Sequence, residues 1–311
     1  MSVFHALVRA TETQERAPVA SGFEEVAAWF DDPGIDPPQD LRLAVVGGEP
    51  VGFAKVSFIP SGERLEQARI RGGVIEQFQG RGVGTALLTW ELCRARERLL
   101  GHAAGRASLF IRSQVWTWLD ASIALLENNA MRPVRWFTQM NRTLLDLPLV
   151  TMDADGFTVV PWDNERIEEI RNLVNAASAD RWGSAPIPAD VYRKMVSGHG
   201  VRQDLSFMAT DADGSIVGVS LNGYFADDEA IVGYRAGWLL GIATSNGWRR
   251  RGVASAVIAA SLHRFAEAGF SNACLAVDAD SPSGAFGLYS SLGFAPQHQA
   301  VTHELRIGTP E

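Results

Sequence analysis

Residues 77–88 read QFQGRGVGTALL, and residues 247–258 read GWRRRGVASAVI. In both, an arginine and a glycine stand directly before an apolar run. Arg81, Gly82, Val83 and Ala86 align with Arg251, Gly252, Val253 and Ala256 at one offset, since 252 − 82 = 170. The longer stretches IRGGVIEQFQGRGVGTALL (70–88) and LGIATSNGWRRRGVASAVI (240–258) keep that frame. The chain is a tandem duplication.

The surroundings of the two stretches agree. Upstream, LRLAVVGGEPVGFAKVSF (41–58) and LSFMATDADGSIVGVSL (205–221) each read as two strands joined by a Gly-containing turn, the pattern of an antiparallel hairpin. Downstream, Val253, Ala256, Val257 and Ala260 fall at helical spacing, with Ile258, Leu262 and Phe265 widening the face, and Val83, Ala86, Leu87 and Trp90 do the same in the first copy. A short apolar strand follows each helix, ASLFIRS (107–113) and NACLAVD (272–278), and then another helix. At 311 residues, two domains are expected. LPLVTMDADGF (147–157) breaks the pattern and sets the junction, giving domains 1–150 and 151–311. The expected fold class is α+β, each domain a mixed, mostly antiparallel sheet flanked by helices.

The 36 acidic residues against 28 basic ones leave a formal net charge of -8, which argues against nucleic acid as a bulk partner. The basic loops must serve something smaller. No run approaches 18 apolar residues, and the N-terminal MSVFHALVRATETQERAPV lacks the order of a signal peptide, so a cytoplasmic protein without a membrane partner is expected. Cys93 and Cys274 lie in apolar runs and read as core residues. The six histidines show no ligand spacing, and no metal is expected.

A glycine turn between a strand and a helix leaves backbone N–H groups pointing out of the helix start, where the macrodipole favours an anion. Arg249, Arg250 and Arg251 are placed to neutralise a diphosphate, with Gly252 and Ala254 keeping the wall low. Neither copy has the Gly-Lys-Ser/Thr of a nucleoside triphosphate loop, and a dinucleotide loop would need glycine where Thr85 stands. A plain solvated basic helix start is the alternative.

The pattern Gln/Arg-x-x-Gly-x-Gly/Ala before an apolar helix resembles the acetyl-CoA pyrophosphate loop of the GNAT acetyltransferase superfamily. It is met as Gln79-Gly80-Arg81-Gly82-Val83-Gly84 and as Arg249-Arg250-Arg251-Gly252-Val253-Ala254. AFGLYSSLGF (285–294) resembles that superfamily's later Leu-Tyr-x-x-Leu-Gly-Phe signature. VRWFTQMNRTLLDLP (134–148) and NAASADRWGSAP (175–186) resemble stretches of its tandem-domain members, such as mycothiol synthase.

The resemblance implies acetyl-CoA as acyl donor and a small-molecule amine as acceptor, in a monomer or homodimer. Ile242, Ala243 and Thr244 would pair with the pantetheine arm, and the amides of Arg249 to Ser255 would cradle the pyrophosphate. Gly72, Gly73, Val74, Gln79, Gly80, Arg81, Gly82, Val83 and Gly84 hold the same frame in the first copy. Tyr289 would protonate the departing thiolate, a phenol being neutral at pH 7; its bland alternative is a tyrosine packed at a helix end. The first copy reads SIALLENNAMRPVRW (122–136) at that place, without tyrosine, and is expected to be catalytically degenerate.

Two positions depart from the family's pattern. Trp238 stands where a glutamate base is expected, and Pro282 where an asparagine contacts the cofactor. Asp180, Arg181, Trp182, Tyr234 and Trp238 are candidates for the acceptor cleft, although Trp238 reads equally as core. Ala226-Asp227-Asp228-Glu229 would attract a cationic amine or form a solvated turn, and His303 and Glu304 are weaker base candidates. A non-catalytic acyl-CoA-binding sensor or scaffold is the other open reading.

Overall fold

A computed structural model describes residues 1–58, 65–102, 108–149, 153–154, 156–179, 181–280 and 284–308. The chain begins with α1 (Ser2–Glu15), α2 (Phe23–Ala28) and α3 (Pro37–Asp40), followed by the hairpin of β1 (Leu41–Val46) and β2 (Glu49–Phe58). Gly47 and Gly48, both at positive φ, reverse the chain between these two strands. Next come β3 (Leu65–Val74), α4 (Val83–His102), β4 (Ser108–Trp116), α5 (Asp120–Asn128) and β5 (Arg132–Thr143). The second half runs through β6 (Asp153–Ala154), β7 (Phe157–Pro161), α6 (Ile167–Ser178), α7 (Ala189–Val196), β8 (Phe207–Asp211), β9 (Ile216–Gly223) and α8 (Ala226–Val232). It ends with β10 (Ala236–Thr244), α9 (Val253–Glu267), β11 (Asn272–Asp278), α10 (Ala285–Ser291) and β12 (Ala295–Ile307).

Two compact units result, and their limits differ from the junction read near residue 150. The first unit comprises Met1–Trp136 with Gln299–Glu311, and the second is Phe137–His298. In the first unit the strand order is β1-β2-β3-β4-β12, and in the second it is β5-β11-β10-β9-β8-β7-β6. Each half thus contributes the closing strand of the other half's sheet: β12 pairs with β4 from Ala300↔Trp116 to Ile307↔Leu109, and β5 pairs with β11 from Asn272↔Thr143 to Asp278↔Phe137. Both closing strands are antiparallel to their neighbours, while β3–β4 and β10–β11 are parallel. Helices α4 and α9 supply the crossovers that parallel pairs require.

The helical period places α9 as expected. Val253, Ala256, Val257, Ile258, Ala260, Leu262 and Phe265 are all buried, and full burial of a Leu or Phe side chain is worth about 1.5–3 kcal/mol. Gly218 lets the helix start lie close on β9, since a Cβ there would come within 2.3 Å of Val253 Cγ1. In α4 the buried set is Leu87, Leu88, Glu91, Ala95 and Leu99. Ala86 and Cys93, both expected inside, are exposed because they fall on the opposite side of that helix. Cys274 is buried.

Candidate functional site

From β10 the chain passes through a 3-10 turn, Asn246–Trp248, and the extended Arg249 before α9 begins. Gly252 is the N-cap, at φ +83, and no side chain caps the helix. The N–H groups of the first turn therefore have no acceptor from their own helix and face outward. The first copy repeats the geometry: Gly82 lies at φ +82, and a Cβ built on either glycine would meet nothing within 4 Å. Position 80 is a glycine at φ +69, whereas its counterpart Arg250 takes φ +61, a left-handed conformation that costs a non-glycine residue about 1–2 kcal/mol.

The arginines have different tasks. Arg249 Nη2 donates to the Ala177 carbonyl at 2.9 Å and ties the loop to the end of α6. The Arg251 guanidinium stacks over the Trp248 ring at 3.9 Å, and Arg81 lies over Phe78 at 5.2 Å in the same relation, since 248 − 78 = 170. Among the described residues Arg250 has neither kind of contact. Gln79 Nε2 donates to the Val74 carbonyl at 2.9 Å.

Ahead of each loop the sheet parts. The parallel ladder of β10 with β11 runs only from Ala236↔Asn272 to Leu239↔Leu275, and that of β3 with β4 only from Leu65↔Ser108 to Arg69↔Arg112. The last paired residues are themselves equivalent, since 239 − 69 = 170. Beyond them β10 continues to Thr244 and β3 to Val74 with one edge unpaired toward the parallel neighbour. A register shift between Leu239 and Gly241 turns β10 at the point of parting. Ile242, Ala243 and Thr244 lie on the free stretch, and the Thr244 hydroxyl oxygen is buried with no hydrogen-bond partner among the described residues. Gly72, Gly73 and Val74 occupy the corresponding stretch of β3. An open strand edge, an orphaned hydroxyl and an uncapped helix start in succession suit an extended ligand that ends in an anion.

Tyr289 lies on α10, half-buried against the core of α9 and β11 to which Ile242 also packs. Its ring meets Phe294 edge-on at 6.1 Å. Burial raises the phenol above its ordinary value of 10, and the Arg181 charge partly offsets this. Among the described residues no hydrogen bond holds its hydroxyl. Its counterpart is fixed by the turn that follows: Phe294 N–H donates to the Tyr289 carbonyl at 3.0 Å, and Met131 N–H donates to the Leu126 carbonyl at 3.1 Å. Ala130 at φ +63 and Gly293 at φ +84 agree, since 293 − 130 = 163 and 289 − 126 = 163. Leu126, buried in the core, stands in the first unit where Tyr289 stands in the second.

The acceptor candidates divide. Asp180 and Pro282 lie outside the described residues. Trp182 is half-buried in the segment after α6. Tyr234 and Trp238 share the sheet face opposite α9, where Trp238 lies across β10 and β11 from Cys274. Asn141 Nδ2 donates to the Tyr234 hydroxyl at 3.1 Å and to Cys274 Sγ at 3.0 Å, while Asn272 Nδ2 donates to Asn141 Oδ1 at 2.9 Å. Burial pushes the Cys274 thiol up to about 11. The run 226–229 is part of α8, with Asp228 buried and Asp227 and Glu229 exposed, so it is no uniformly solvated turn. His303 and Glu304 belong to the first unit: His303 Nε2 lies 3.7 Å from Glu127, and Glu304 pairs with Arg112 at 2.7 Å. Asn141 went unnoticed in the sequence because nothing local assigns β5 to the second sheet.

Comparison with known proteins gives the family. The model of the Acetyltransferase (GNAT) family matches residues 4–126 and again residues 167–294. The chain belongs to the GNAT acetyltransferase family. Both matches end before a closing strand, so the exchanged strands β5 and β12 lie outside them. A GCN5-related N-acetyltransferase from Sphaerobacter thermophilus is similar at 25% identity and a TM-score of 0.75, over 98% of this chain and 91% of that one. A tandem GNAT protein from the clavulanic acid biosynthesis pathway shares the fold at 17% identity and a TM-score of 0.68, over 99% and 96%. Saccharomyces cerevisiae N-myristoyltransferase with bound myristoyl-CoA does so at 13% identity and 0.64, over 99% and 77%. No curated protein matches in sequence. Among the described residues no helix is long and apolar enough to cross a membrane.

Proposed function

We propose that the second unit is an N-acetyltransferase that moves an acetyl group from acetyl-CoA to a primary amine of a small molecule. The observation that carries this is the succession of parted strands, uncapped helix start and half-buried phenol in one unit. The free edge of Ile242 to Thr244 pairs with the pantetheine arm. The amides of Arg250 to Ser255, together with the Arg250 guanidinium, hold the pyrophosphate. Attack of a neutral amine on the thioester carbon forms the C–N bond and a tetrahedral oxyanion, which backbone N–H groups of the unpaired β10 edge stabilise. Collapse breaks the C–S bond, and Tyr289, protonated at neutral pH, gives its proton to the leaving thiolate. The amine nitrogen's surplus proton leaves to solvent, and the Tyr289 phenolate regains a proton from solvent.

For the first unit a second reading applies, because Leu126 replaces the phenol while Gly72 to Val74 and Gln79 to Gly84 keep the parted strand and loop. It binds acyl-CoA without performing chemistry.

Removing one positioned proton donor lowers turnover by about 10²–10⁴. Tyr289→Phe should lower kcat by that amount, with acetyl-CoA affinity unchanged by calorimetric titration. Its thermal midpoint should also hold, because no hydrogen bond is lost. Thiol release over a panel of amines reads the rate; an unchanged kcat would rule out Tyr289 as the acid.

A further inference from the structure

Strand β10 is irregular at the point where it leaves β11. Its register against β9 passes from Leu239↔Asn222 to Gly241↔Leu221, so Leu240 has no residue opposite it. Leu239 and Leu275, the last pair of the parallel ladder, are buried together with Ile258, Leu262 and Phe265. The α9 side of the parting is therefore packed shut. Side chains alternate along a strand, so Trp238 before Leu239 and Ala276 after Leu275 belong to the other face. Leu240 joins them there: Gly223 stands opposite Trp238 in the register, and a Cβ on Gly223 would lie 2.6 Å from Leu240 Cδ1.

That face is open. Both β10 and β11 are interior strands, yet Leu240 is 39% exposed and Ala276 is exposed as well. Their surroundings are apolar. Trp238 and Phe225 are half-buried and meet edge-on at 6.4 Å. Phe225 lies against Gly200, at φ +77, where a Cβ would come 2.4 Å from Phe225 Cε1. None of Phe225, Trp238, Leu240 and Ala276 carries a charge. A leucine left open in the middle of a sheet forfeits burial that a bound apolar group would restore.

The surface is continuous with the free edge of β10. A thioester arm laid along Ile242 to Thr244, with its phosphates at the start of α9, has its reactive end at the parting, beside Leu240 and Ala276. One side of that point is filled by the core, so an attacking amine must arrive across the other.

We propose that the apolar surface of Phe225, Trp238, Leu240 and Ala276 seats the acceptor of the second unit, and that this acceptor is a primary amine on an apolar body with no second charge. The proposal rests on the acyl-transfer reading of the unit.

Pentylamine and putrescine form the test pair, since they have the same number of heavy atoms and differ by a methyl against an ammonium group. With acetyl-CoA as donor, wild-type kcat/KM should favour pentylamine by about tenfold or more, because the second ammonium finds no partner on this surface. From propylamine to pentylamine it should rise about fourfold per methylene, a trend that needs no variant. Leu240→Glu should bring pentylamine and putrescine to near parity, while Leu240→Met should keep the preference and show that the fold tolerates change there. Equal use of the two amines by the wild type would overturn the proposal, as would a flat methylene series or retention of the preference by Leu240→Glu. Calorimetric binding of pentylamine to protein saturated with desulfo-CoA separates surface from chemistry. Binding that Leu240→Glu abolishes, without thiol release from any amine, refutes the transferase reading and upholds the apolar site. Absence of both binding and preference refutes the site.

Discussion

Glu91 should make the protein lose stability as pH rises, and Glu91→Gln should abolish that loss. The side chain leaves α4 toward the β2–β3 pair and is 4% exposed. It fits because residue 72 is glycine, whose Cβ would lie 3.1 Å from Glu91 Oε1. Among the described residues that oxygen has no hydrogen-bond partner. Burial pushes the carboxyl from its ordinary 4.5 up to about 8, with the backbone amides of Lys55 and Arg71 partly offsetting it. The folded chain therefore keeps a proton that the unfolded chain releases above pH 4.5. The contribution is complete below pH 4.5 and is lost as pH rises to about 8. The span is 8 − 4.5 = 3.5 pH units at about 1.4 kcal/mol each, or about 5 kcal/mol in all. Glutamine has the same shape and carries no charge at any pH. Urea unfolding between pH 5 and pH 9 should show wild type losing about 4 kcal/mol more than Glu91→Gln. Parallel stability curves for the two proteins would refute the reasoning.

Two further outcomes follow from the loop and the thiols. Arg250→Gly should exceed Arg250→Ala in stability by about 1 kcal/mol, because both remove the charge and only glycine accepts φ +61 without strain; a thermal midpoint for the alanine variant at or above that of the glycine variant contradicts this. A thiol reagent should modify the exposed Cys93 rapidly in the native protein and reach Cys274 only after denaturation, burial having pushed its thiol up to about 11. Two fast thiols in the native state would contradict the burial of Cys274.

Where period and turn chemistry act locally, the fold was legible. The Gly47-Gly48 turn, the buried face of α9 and the strand at Asn272–Asp278 came directly from the spacing of apolar residues and glycines. The repeat also carried over to the parted strands, because equal loops need equal approaches. The closing strands were not legible: VRWFTQMNRT satisfies an apolar sheet edge of either unit, and only the assembled sheets show that Phe137–Thr143 joins β11. Asn141, which depends on that choice, was therefore missed. Cys93 misled because an apolar neighbourhood along the chain is not one around a helix. Charge counting put Arg249 at the anion, and its tie to Ala177 became visible only in three dimensions.

The strand exchange also sets the order in which the protein can mature on the ribosome. Glu304, which pairs with Arg112, follows it by 192 residues. At about 5–20 residues per second, the nascent first sheet waits roughly 10–40 s with its β4 edge uncovered while the whole second unit is made. Such an edge is a template for wrong pairing. The emerging chain must therefore be shielded throughout that interval, and a stop codon anywhere before β12 leaves the first sheet unclosed however complete the second unit is.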